Sequence, residues 1–70
     1  MKLSARNILK GTVVKITPGS INSEVVLKLA DGSEVVSIIS KESVASLALK
    51  PGVQAYAIIK ASNVMIGIDA

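Results

Sequence analysis

Apolar residues in this chain fall into short β-branched runs separated by Pro-Gly and Asp-Gly dipeptides. "ILKGTVVKI", from Ile8 to Ile16, reads as a strand, and "TPGS" ends it. Pro18-Gly19 is a turn signal because Pro pre-sets φ and Gly tolerates positive φ. "NSEVVLKLA" alternates, with Val25, Leu27 and Leu29 on one face and Glu24, Val26 and Lys28 on the other. Asp31-Gly32 then favours a tight hairpin turn. The return run "SEVVSIIS" is apolar on both faces: Val36 and Ile38 share one, Val35, Ser37 and Ile39 the other. A strand apolar on both sides needs cover on both sides, and in so small a chain the second cover is expected from another subunit.

"SKESVASLALKPG" predicts the one helix, with Ser40 as its N-cap, Val44, Leu47 and Ala48 grouped on one face, and Pro51-Gly52 as its stop. Two further strands are expected at "VQAYAIIK" and, after a link at "ASN", at "VMIGI". Three strands, a short helix and two strands give an all-β class with one short helix. The expected architecture is a five-stranded, OB-fold-like Greek-key barrel forming one domain over residues 1–70.

Composition sharpens this picture. At 70 residues the chain buries little surface by itself, yet half of it is hydrophobic. Cysteine and histidine are both absent, which removes disulfides, thiolate or imidazole metal sites and the usual nucleophile–base pairs. The five carboxylates are scattered, so no bare-cation site is expected. Together these features predict an oligomer. The net charge of +3 favours anionic partners, but no Lys/Arg run marks a nucleic-acid patch. No signal-peptide core and no membrane-length apolar run is present, so a cytoplasmic location away from membranes is expected.

An OB-like barrel raises single-strand binding by analogy, but such binders stack bases on aromatic residues, and Tyr56 is the only aromatic here. Nucleic acid is therefore not an expected partner. Catalysis by a Ser–Lys pair would need a buried lysine, which sequence does not reveal, and no phosphate-loop motif exists. The chain is read as a non-enzyme. What remains is oxyanion binding by hydroxyl, ammonium, guanidinium and main-chain N–H donors. Three polar clusters interrupt the apolar strands: "SARN" at 4–7, "SIIS" at 37–40 and "KAS" at 60–62. Each has a plain structural explanation (a terminus, a helix cap, a turn), and periodicity alone does not bring them together.

"MKLSARNILKGTVVKI", "VVSIISKESVASLALKPG" and "AYAIIKASNVMIGI" in combination resemble the molbindins, the small Mop family of molybdate-binding proteins. The resemblance runs from about Lys2 to Ile68. It implies an OB-like barrel assembled as a hexamer, a trimer of dimers, which holds molybdate, and also tungstate, at subunit interfaces for intracellular storage and molybdenum homeostasis. The alternative it leaves open is a regulatory or assembly module that senses molybdate and docks on a transporter or regulator.

By resemblance, Ser4, Ala5, Arg6 and Asn7 match the family's N-terminal ligand-contacting segment, and Lys60, Ala61 and Ser62 match a second one. Ser37 and Ser40 match polar positions on the neighbouring subunit's wall. A helix N-terminus favours anions, which adds Lys41 to the candidates. Ile8 departs from the polar residue common in relatives; on strand alternation it should face away from Asn7.

Overall fold

The computed structural model describes residues 1–69; Ala70, the last residue of the expected domain, lies outside the described residues. The elements are β1 (Asn7–Pro18), β2 (Asn22–Leu29), β3 (Glu34–Ser40), α1 (Lys41–Ser46) and β4 (Gln54–Ile59), followed by a 3-10 turn (Ala61–Asn63). The strands make one antiparallel sheet in the order β3-β2-β1-β4. Three hairpin-linked strands with the fourth returning beside the first is the Greek-key arrangement. Among the described residues four strands form rather than five. "VMIGI" makes no strand and is exposed, with Met65, Ile66 and Ile68 at 93%, 88% and 89%. A strand needs a neighbour for its backbone groups, and within this chain that segment has none. The edges of β3 and β4 are therefore not joined, and the sheet is an open, curled one.

β1 carries the curvature. It pairs with β2 on one side and β4 on the other, and Val14 is an extra residue between the pairs Val13–Leu27 and Lys15–Val26. Such a bulge bends and twists a strand. Beside it, Gly11 sits where a Cβ would come within 2.9 Å of the Lys28 carbonyl oxygen, so only glycine allows β1 and β2 to approach this closely. The β2–β3 connection is a three-residue loop, because Leu29 N–H donates to Ser33 O at 2.8 Å. Gly32 takes its positive-φ position (φ 89°), and Asp31 accepts from the Ser33 amide and hydroxyl at 3.0 and 2.6 Å. The Asp-Gly signal thus marks a bulged hairpin rather than a two-residue turn.

The concave face holds the core. Val13, Val25, Leu27 and Ala57 are buried, with Ile16, Val35, Ile39, Val44 and Leu49 packed against them. This follows the alternation in β3, where Val36 and Ile38 on the other face are 60% and 67% exposed; in β2 the outward Val26 is buried too, at 7%. Helix α1 is shorter than expected. Ser40 caps it by accepting from Ser43 N–H, but it ends at Leu47, before Pro51-Gly52 acts. Ala48 adopts φ 52°, with Leu49 N–H donating to Val44 O and Ala48 N–H to Ala45 O, at 3.0 and 3.1 Å. That is a Schellman ending built on alanine. It leaves Leu47 64% exposed, and Leu49 joins Val44 on the core in its place.

Candidate functional site

β1 and β4 position the site. Their ladder pairs Asn7 with Ile59, so the residues preceding β1 and those following β4 leave the sheet at the same end. Ser4, Ala5 and Arg6 come from the first segment, and Lys60, Ala61 and Ser62 from the second. With Ile58 and Asn63 they line a recess of about 570 Å³. Lys60 leaves β4 extended, at φ −61° and ψ 134°, and the chain then tightens into the 3-10 turn. Asn63 N–H donates to Lys60 O at 2.8 Å and Val64 N–H to Ala61 O at 3.2 Å. The amides of Ala61 and Ser62 precede the first i→i+3 bond, so the turn itself leaves them unpaired. Arg6, Lys60 and Ser4 are exposed, while Ala5 is half-buried.

The recess is thus lined by two cationic side chains, two hydroxyls and a carboxamide, and among the described residues no carboxylate lines it. Lysine and arginine donate without accepting, and serine hydroxyls rotate to suit. Such a set can neutralise and hydrogen-bond a small dianion. Among the described residues no group of His, Cys, Asp and Glu is placed to hold a metal ion.

The other sequence-derived candidates lie elsewhere. Asn7 does not line the recess; its Nδ2 donates to the Ile59 carbonyl at 3.1 Å. Ser37 lines a separate apolar cavity of about 500 Å³ between β3 and β4, beside Ile39, Leu49 and Ile59. Ser40 is engaged in capping, accepting from Ser43 N–H at 3.0 Å and donating to Ser43 Oγ at 2.7 Å. Lys41 is exposed, and its amide already donates to Ile21 O at 3.0 Å. The Lys41 and Ser43 amides at the start of α1 are thus both hydrogen-bonded within this chain. Ile58 and Asn63 were missed by sequence reasoning. Asn63 directly follows the "KAS" cluster, a signal that was there to use, whereas Ile58 enters through strand register alone.

The fold and recess together define a small OB-like domain with a donor-rich notch at the open end of its sheet. The TOBE domain profile matches residues 3–66. Molybdenum-pterin-binding protein 1 of Clostridium pasteurianum is 50% identical over 66 residues, covering 94% of this chain and 97% of that protein. The cytoplasmic molybdate-binding protein ModG, in a crystal form with molybdate bound, superposes with a TM-score of 0.95 at 55% identity. That match covers 99% of this chain and 49% of ModG. The molybdenum transport protein ModE of Azotobacter vinelandii is 41% identical over 68 residues, covering 97% of this chain and 25% of ModE. The chain belongs to the TOBE-domain family and, within it, to the molybdenum-pterin-binding (Mop) proteins.

Proposed function

We propose that this protein binds molybdate, and also tungstate, for intracellular storage and molybdenum homeostasis, with each anion held where copies of the chain meet. The observation that carries the reading is the recess in which Ser4–Arg6 and Lys60–Ser62 converge. It lies in a chain that matches a molybdate-bound relative over almost its whole length. Arg6 and Lys60 supply two positive charges toward a dianion, and Ser4, Ser62 and the turn amides supply directed donors. A cytoplasmic location, which is that of ModG, suits a store that draws on imported anion. The role is binding, without catalysis; the relatives matched are binding and transport proteins.

Exposure supports assembly. The recess is open, and Ser4, Arg6, Lys60 and Ser62 on it are exposed. The apolar segment Val64–Ile68 directly follows the site turn and is solvent-exposed, while an apolar cavity of about 500 Å³ lies between the β3 and β4 edges. A second copy's segment laid in that cavity would be a strand exchange, a low-cost route to dimers. It would also carry the second copy's Lys60–Ser62 toward Ser37 and the start of α1. The outward Val36 and Ile38 offer a further apolar surface, as a trimer of dimers requires.

A second reading, a molybdate-sensing module that docks on a transporter or regulator, is favoured by the match to a quarter of ModE. Calorimetric titration of the protein with sodium molybdate and, separately, sodium sulfate tests the principal reading. Saturable molybdate binding at close to one anion per chain, or above it, supports storage, and the absence of binding heat rejects it. Binding at far below one anion per chain, with stable capture of a transporter subunit, favours the second.

A further inference from the structure

Asn7 stands between the two walls of the recess without lining it. In the chain it directly follows Ser4–Arg6, and in the sheet it faces Ile59, the last residue of β4. Its side-chain amide donates to the Ile59 carbonyl at 3.1 Å across the strand pair. The other side-chain hydrogen bonds among the described residues join residues only two or three apart, within the β2–β3 loop or at α1. Among the described residues, Asn7 therefore makes the one side-chain hydrogen bond between distant segments, and it makes it at the mouth of the site.

The bonded carbonyl belongs to the peptide that joins Ile59 to Lys60. Because a peptide unit is planar, holding its oxygen holds the plane from which Lys60 departs, including the direction of the Lys60 N–H. The path of Lys60 sets where the 3-10 turn begins, and so where the unpaired amides of Ala61 and Ser62 point. The half-buried setting of Asn7 shields this bond from competing water.

We infer that Asn7 is a positioning residue that clamps the Ile59–Lys60 peptide and so fixes the Lys60–Ser62 wall against the Ser4–Arg6 wall before any anion arrives. It does not touch the anion. Its consequence for affinity rests on the oxyanion reading above, whereas the clamp itself is readable without ligand. A turn already in place spares the anion the cost of ordering it, which is how preorganisation raises affinity.

The test uses the full chain, without and with sodium molybdate. In Asn7→Asp, which keeps the shape but removes the donor, and in Asn7→Ala, the anion-free amide signals of Lys60–Asn63 should shift and exchange faster with solvent. Asn7→Ala should also bind molybdate roughly five- to tenfold more weakly, the cost of one ordinary hydrogen bond, at unchanged assembly mass. If those amides are unmoved in both variants, or if they loosen with no loss of affinity, the inference is overturned. Should either variant fail to fold, the wild type decides: a through-bond coupling between Asn7 Nδ2 and the Ile59 carbonyl carbon supports the clamp, and its absence refutes it. Wild-type protein that binds no molybdate refutes the oxyanion reading separately, since the anion-free amide result stands by itself.

Discussion

Arg6 and Lys60 lie at opposite ends of the sequence yet line the same recess, because the β1–β4 ladder brings the start of one strand beside the end of the other. Removing either charge should weaken molybdate binding. A hydrogen bond to a charged group contributes about 1.5–3 kcal/mol, so Arg6→Ala and Lys60→Ala should each lose roughly ten- to a hundredfold in affinity. Both side chains are exposed and outside the core, so assembly should persist. Calorimetry for affinity and light scattering for mass check the two halves; unchanged affinity in both variants would remove this recess as the site.

The exposed Val64–Ile68 segment should matter for assembly in the opposite way. Placing a charge there, as in Ile66→Asp or Ile68→Asp, forfeits the burial of a large aliphatic side chain, about 2 kcal/mol or more per copy. Sedimentation should show dissociation at protein concentrations where the unaltered chain is assembled, and molybdate binding should fall with it. Variants that stay assembled at full mass would show that the segment lies outside the interface.

The ending of α1 predicts a stabilising change. Ala48 holds φ 52°, a region that costs an L-residue about 1–2 kcal/mol. Glycine relieves that strain but gains unfolded-state freedom of about 0.4–1 kcal/mol. Ala48→Gly should therefore raise stability by about 0.5–1 kcal/mol, measured by denaturant midpoint. Lowered stability would contradict the Schellman assignment.

The β2–β3 loop carries a small acid dependence. The Ser33 hydroxyl, then its amide, hydrogen-bond the Asp31 carboxylate and hold its pKa below the ordinary carboxylate value. A folded pKa below the unfolded one means that the contribution is complete above the unfolded value, about 3.9. It is lost as pH falls through the folded value. An NMR titration should place Asp31 below its ordinary value, and Ser33→Ala should move it back up. No change on that substitution would remove the Ser33 hydroxyl as a cause.

Much of the sheet could be read from side-chain alternation. Val25 and Leu27 of β2 and Val35 and Ile39 of β3 follow their pattern onto the core, while Val26, on the other face of β2, is buried as well. The failures share a physical origin. "VMIGI" has the composition of a strand, but a strand exists only with a partner, and composition does not say which chain supplies one. Helix α1 ends on an alanine in a conformation that glycine usually occupies, so the sequence offered no stop before Pro51. In the site, "SARN" and "KAS" were legible as polar clusters, while their meeting depended on the Asn7–Ile59 register, which is tertiary. That same register sets Asn7 opposite Ile59, where its side-chain amide donates to the Ile59 carbonyl rather than lining the recess.

Native mass spectrometry of the intact protein, with and without molybdate, tests the central claim most directly, because it reports subunit number and bound anion together. The account predicts a hexamer that carries molybdate, with no anion on any monomer present. A monomer that binds molybdate stoichiometrically by itself would contradict it.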